Sequence, residues 1–257
     1  MIVATLANPA DLAARERKFF FVMAIVMALT IVAGFATNLA LGRSSFSLPL
    51  IFHIHAWVFF GWVVLYLVQN GLVATGNVMR HQRLGMLALL WLPLMIGLGL
   101  TMTIVSARRG APFFFDVNEF LFGNAMQLLA FAALAGTGFA MRRRPDWHRR
   151  LMYCGMAILT GPGIGRLLPV PFLIPWAWWV TVLVTLIFPL IGLAADLRRT
   201  GKAHPAWFWG MGATVAALLI GDLIAYSSFG TAAAQSVVAG TPGALRPLHA
   251  FLPPFLS

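Results

Sequence analysis

Seven blocks of mostly apolar residues follow one another along the chain: Phe20 to Leu41, Ile51 to Val73, Leu84 to Ser106, Val117 to Ala140, Leu151 to Leu168, Ile174 to Ala195 and Ala206 to Ser228. Each is about 20 residues long, enough for an α-helix to cross a hydrocarbon core of about 30 Å. Backbone polar groups in lipid must be satisfied within a helix or a closed barrel, and these blocks are continuous runs, without the alternation of barrel strands. The pattern predicts an all-α integral membrane protein with seven transmembrane helices over 20–228, an N-terminal segment at 1–19 and a C-terminal tail at 229–257. The first block exceeds the apolar stretch of about 7 to 15 residues in a cleaved signal peptide, so it is read as a retained helix.

Composition agrees with a bilayer setting. Only 10% of residues are charged, against roughly 25% in soluble domains. The net charge of +11 comes from short connections between the blocks, which is topology charge and excludes a nucleic-acid face. Arg15, Arg17, Lys18, Arg80, Arg83, Arg142, Arg143, Arg144, Arg149, Arg150, Arg198, Arg199 and Lys202 fall on one side, thirteen in all, whereas Arg43, Arg108, Arg109, Arg166 and Arg246 make five on the other. By the positive-inside rule the N-terminus is expected in the cytoplasm and, after seven crossings, the C-terminus in the periplasm of a bacterial inner membrane. The single cysteine, Cys154, leaves no intrachain disulfide and no Cys-x-x-Cys site.

A repeat marks the cytoplasmic turns. Thr75, Gly76, Met79 and Arg80 are matched by Thr137, Gly138, Met141 and Arg142, and each set leads into a His-x-Arg-Leu helix start, at His81 and at His148. A weaker echo is Arg198 and Arg199 before His204 and Pro205. Helix hairpins used two or three times in parallel give this pattern, which is unlike inverted-repeat transporters. The outer half of the fifth block carries Gly161, Pro162, Gly163 and Gly165 and is followed by Pro169, Pro171 and Pro175. Irregular backbone is expected there, lining a cavity. Pro93 and Pro189 predict kinks, and Gly230–Ser257 reads as an external tail that touches down through Phe251 and Phe255.

Polar side chains inside a span are costly and point to sites. At ~1.5 Å per residue, His53 and His55 lie about 3 and 6 Å inside the outer edge, Asn124 and Gln127 about 10 and 15 Å, and Asp222 and Tyr226 about 9 and 3 Å. Asn118 and Glu119 open the fourth helix on that side, and Arg166 follows the broken fifth. A shared outer-leaflet pocket is therefore expected from Asn118, Glu119, Asn124, Gln127, Arg166, Asp222 and Tyr226, with Arg166 as the natural partner of Asp222. His53 and His55 differ by ~200° on a helix, so they chelate one metal only if the helix begins after them; Glu119 or Asp222 would then supply a carboxylate. Alternatively one imidazole meets interfacial water and the other a nearby carbonyl.

On the cytoplasmic side His81 and His148 share a depth, as two axial haem ligands must. His55 and His81 are ~30 Å apart along one helix and cannot share an iron. Helix capping or lipid-phosphate contact is the plainer role for His81, His148 and His204. Most tryptophans read as interfacial anchors, with Trp57 and Trp62 placed where they could line a cofactor pocket. No His-Glu-x-x-His, phosphate loop or dinucleotide fingerprint occurs. Lys18 and Lys202 lie outside the blocks, which excludes a retinal Schiff base.

At His81-Gln-Arg-Leu-Gly85 and His148-Arg-Arg-Leu151 the chain resembles bacterial multi-pass membrane families with a His-Arg-Arg-Leu-Gly turn after a histidine-bearing helix. Some of these are associated with respiratory-oxidase assembly or with haem. The likeness spans Phe52 to Leu151, with Gln82 in place of the first Arg. It implies a haem or metal role; the histidines themselves make His53, His55, His81 and His148 the candidate ligands of haem or a transition metal, in electron transfer or respiratory-complex assembly. Two other functions remain open from the residues: lipid or small-molecule binding or transport through the outer pocket, and a metal-dependent intramembrane hydrolase using His53, His55 and a carboxylate. The expected partners are the lipid bilayer and either another membrane protein or a second copy of the chain.

Overall fold

The structure, a computed structural model, describes residues 9–253; the Phe255 contact expected from the sequence lies outside them. The regular structure of the described residues is all helical, without strands. They form α1 (Pro9–Ala40), α2 (Leu50–Ala74), α3 (Val78–Gly85), α4 (Ala88–Arg108), α5 (Val117–Ala140), α6 (Pro145–Leu159), α7 (Gly161–Leu167), α8 (Ala177–Thr185), α9 (Ile187–Thr200), α10 (Pro205–Ala225) and α11 (Ser228–Val238), with 3-10 turns at Val170–Leu173 and Pro242–Leu245. Six helical stretches are long and apolar enough to cross a membrane: Asp11–Ala40, Leu50–Ala74, Ala88–Arg108, Val117–Ala140, Ala177–Thr200 and Pro205–Ala225.

Many large apolar side chains on these helices face outward, Leu90 at 78% exposure and Leu223 at 75% among them. An outward apolar surface of that extent requires lipid. The protein is accordingly a multi-pass membrane protein. Trp57 belongs to that outer surface and Trp62 to the core, so the two tryptophans do not line one pocket.

Two helical rods are interrupted by proline. Pro162 cannot donate to the Ile158 carbonyl, and the ladder breaks at Thr160 between α6 and α7. Pro189 cannot donate to Thr185, and the ladder breaks at Leu186 between α8 and α9. Pro93 stays inside α4.

Helix α5 lies at the centre, packed against α10, α6 and α4, while α1 packs on α7 and α2. Glycines set the closest crossings. A Cβ on Gly34 would land on the Gly163 carbonyl oxygen, and one on Gly163 would sit 2.8 Å from Ile31 Cα. The Gly161–Gly165 run therefore brings the backbones of α1 and α7 together, and the cavity expected there is replaced by a packed crossing. Where α10 crosses α5, a Cβ on Gly221 would sit 3.2 Å from Gly123 Cα.

The C-terminal residues do more than trail. Ser227 caps α11 by accepting from Gly230 N at 3.0 Å, and α11 packs on α5, α10 and α4. Beyond it, Arg246 donates to the carbonyls of Gly110, Pro112 and Phe115 at 2.9–3.0 Å, and Phe251 meets Phe113.

Candidate functional site

The polar residues grouped by depth into an outer pocket mostly find separate partners rather than one another, and Asn118 Oδ1, Arg166 Nε and Asp222 Oδ1 remain buried without one. The His53 ring meets the Leu48 carbonyl at 3.2 Å. Asn118 donates to Ala225 O, Asn124 to Phe120 O and Gln127 to Thr214 O, at 2.7–3.1 Å. Arg166 donates to Pro162 O at 2.6 Å and lies over the Phe35 ring, 4.0 Å from its centroid. It does not pair with Asp222, whose Oδ2 instead accepts from Trp179 Nε1 at 2.6 Å. His55 packs against Phe59, ring centroids 4.1 Å apart, with a buried and unpartnered Nδ1.

What does gather at that end is a group of carboxylates. Asp116 accepts from Tyr226 OH at 3.0 Å and from the Ala250 amide at 2.6 Å, and the His249 ring lies 3.1 Å from it. Glu119 and Asp222 lie within electrostatic reach of Asp116. Glu119 is buried with no hydrogen bond to any described residue. Burial and the neighbouring Glu119 and Asp116 hold the Tyr226 phenol above its usual pKa, so it donates to Asp116 as a neutral group. Asp116, His249 and Arg246 were not singled out in the sequence; Asp116 as the residue before α5 was the available signal. Among the described residues no group of three or more His, Cys, Asp or Glu side chains is placed to hold a metal ion, so His53, His55, Glu119 and Asp222 do not form one ligand set.

The opposite, arginine-rich end is better organised. There the two repeat copies bring His81 of α3 and His148 of α6 into contact, ring centroids 6.0 Å apart and planes at 74°. His148 Nδ1 lies 2.8 Å from the Gly138 carbonyl. A carbonyl only accepts, so Nδ1 carries the hydrogen and Nε2 keeps its lone pair. The Nδ1 of His81 is buried without a partner, as are both amide atoms of Gln69 on α2, whose backbone carbonyl lies beside the His81 ring. Burial, with the nearby His148, pushes His81 below its usual pKa and keeps it neutral. A metal–nitrogen bond of about 2.0–2.1 Å allows two imidazoles on one ion to stand about 5 to 6.5 Å apart, centroid to centroid. The 6.0 Å between the two rings falls within that range, so the pair's spacing is compatible with two imidazoles on one ion.

Beside this pair lies a charge network that sequence reading missed, because its arginines were assigned to topology. Arg150 donates from Nε to Asp196 Oδ2 at 2.7 Å and from Nη2 to Glu16 Oε1 at 3.0 Å. Trp207 Nε1 donates to Asp196 Oδ2 at 2.6 Å, Arg199 donates to Asp196 Oδ1, and Arg149 lies 2.9 Å from Glu16 Oε2. His204 caps α10 through Nδ1, which accepts from Ala206 N at 3.1 Å, leaving Nε2 to donate to Asp146 at 3.1 Å. Capping is the plainer role that the sequence suggested for it.

No protein-family model, curated protein or solved structure matches the chain. The functional reading accordingly rests on the residues themselves.

Proposed function

We propose that this is a bacterial inner-membrane protein that holds a transition metal, as an ion or as haem iron, between His81 and His148 at its cytoplasmic end. Its role is in electron transfer or in assembly of a respiratory complex. The observation that carries the reading is the facing imidazole pair: 6.0 Å between rings, one ring oriented by a backbone carbonyl, the other with an orphaned buried nitrogen. Two protein nitrogens leave the remaining coordination to a porphyrin, to water or to the Gln69 amide. When bound, the metal supplies redox or Lewis-acid chemistry; His148 and His81 orient it, and the Gly138 carbonyl fixes the His148 tautomer.

The cytoplasmic placement follows from the lysine and arginine count, with seven crossings. The seventh crossing is the α6–α7 rod. Thr160 keeps a right-handed helical conformation at the break, so residues 145–167 form a nearly continuous helix about 34 Å long, enough to span.

The test is elemental analysis and an absorption spectrum of full-length protein purified from membranes in neutral detergent. About one metal or haem per chain is expected. It should be lost in His81→Ala and in His148→Ala and kept in His53→Ala and His55→Ala. A Soret band identifies haem and its absence with bound metal identifies an ion. Metal-free wild-type protein, or loss of metal only in the His53 and His55 variants, overturns the reading.

A further inference from the structure

We propose that the groove between α1 and α9 at the arginine-rich end is a binding site for an anionic phospholipid. The groove, about 450 Å³, is walled by Phe19, Ile191, Ala194 and Ala195 and ends at Arg198 and Arg199. It lies open because α1 packs on α7 and α2 while α9 packs on α10, α6 and α8.

Arg149, Arg150 and Arg199 meet two carboxylates, Glu16 and Asp196, while the Asp146 carboxylate is turned to His204. The carboxylate oxygens are already used: Asp196 Oδ2 by Arg150 and Trp207, Oδ1 by Arg199, Glu16 Oε1 by Arg150 and Arg199, and Oε2 by Arg149. One positive charge is left over, and exposed Arg198 on the rim adds another. Arg199 Nη1 and Arg149 Nε are buried without an acceptor and closed to a ligand as they stand; the donors open to the groove are those of exposed Arg198, with Arg199 beside it. Guanidinium groups with spare donors select phosphate oxygens.

The apolar wall decides which phosphate. Phe19 lies under Arg199, whose Cζ is 5.4 Å from the ring centroid, and the groove continues along α9 over small and aliphatic side chains. Leu190, Ile191 and Leu197 on that helix are outwardly exposed, as lipid-facing residues are. A free inorganic phosphate would use the arginines and leave the wall bare, whereas a phospholipid fills both. The site is separate from the imidazole pair and does not depend on any metal.

The experiment uses the full-length protein, stripped of lipid in neutral detergent, with phosphatidylglycerol, phosphatidylcholine and inorganic phosphate as separate probes. Adducts are counted by native mass spectrometry and stabilisation by thermal unfolding. Phosphatidylglycerol is expected to form a one-to-one adduct at least about tenfold tighter than phosphatidylcholine, a difference within reach of one charge-assisted contact pair. Inorganic phosphate should give no stabilisation at matched concentration. Arg198→Gln and Ala194→Trp, both at exposed positions outside the charge network, should each weaken the phosphatidylglycerol adduct about fivefold or more without lowering the lipid-free Tm. Equal binding of the two lipids, stabilisation by phosphate alone, or unchanged preference in both variants overturns the proposal.

Discussion

Arg150 of α6 and Asp196 of α9 are joined by a 2.7 Å hydrogen-bonded ion pair whose side chains are 6% and 2% exposed. Trp207 of α10 donates to the same carboxylate oxygen, so one carboxyl group ties three helices. The pair is costly to desolvate and costlier to break, since removing one partner strands a buried charge at about 3–5 kcal/mol. Asp196→Asn and Arg150→Met are each expected to lower unfolding stability by that order. The double substitution should lose clearly less than the sum, because it removes both charges of the buried pair together. Chemical unfolding in detergent measures all three, and small additive losses would show that the pair does not clamp the bundle.

Alanine is expected to act with opposite signs at a glycine of the α1–α7 crossing and at one outside it. At Gly34 any Cβ runs into the Gly163 backbone, which cannot yield as a side-chain tip can. Gly34→Ala must push the two helices apart, at a cost of about 1–3 kcal/mol or more. Gly97 in α4 has nothing within 4 Å of its Cβ position, and Gly97→Ala should gain roughly 0.5–1 kcal/mol through backbone entropy alone. Thermal unfolding of the two variants side by side checks the contrast.

Arg246 should fasten the C-terminal residues to the α4–α5 connection. Its guanidinium donates to the carbonyls of Gly110, Pro112 and Phe115, and charge-assisted hydrogen bonds contribute about 1.5–3 kcal/mol. Arg246→Ala is expected to speed amide exchange and protease cleavage over residues 241–253 while α5 and α10 stay protected. Hydrogen exchange with mass readout would show it, and an unchanged exchange pattern would contradict it.

Block length gave the six long apolar helices, because lipid leaves a chain few alternatives. The break after Leu159 was legible in Pro162, but its meaning was not: glycine serves an open cavity and a tight crossing equally, and only the position of Gly34 on another helix distinguishes them. Position along the helix was legible for Asn118, Asn124, Gln127, Asp222 and Arg166, but direction around each helix was not. Most therefore turned out to serve carbonyls nearby or on a neighbouring helix. His81 and His148 came together as their equal depth suggested, since a repeat fixes both depth and direction. Glu16 and Asp196 were missed because a carboxylate near an arginine cluster looks like surface charge until burial is known. Helix α11 was missed too, although Ser227 followed by small residues was a capping signal.

The α6–α7 rod can be tested as a crossing with cysteine reporters. Cys154 is 1% exposed and packed against Gly210, so the wild-type protein should resist a membrane-impermeant maleimide and serve as the background. Ser45, Arg143, Phe172 and Lys202 lie in or beside four of the connections and are all exposed. If α6–α7 spans, Phe172 lies on the side opposite Arg143, and the α8–α9 span returns the chain so that Lys202 shares the side of Arg143. In intact cells Ser45→Cys and Phe172→Cys should then label, while Arg143→Cys and Lys202→Cys label only after permeabilisation. If the rod does not cross, Phe172→Cys becomes protected and Lys202→Cys becomes reactive from outside. That reversal would leave six crossings and put the C-terminal segment on the same side as His81 and His148.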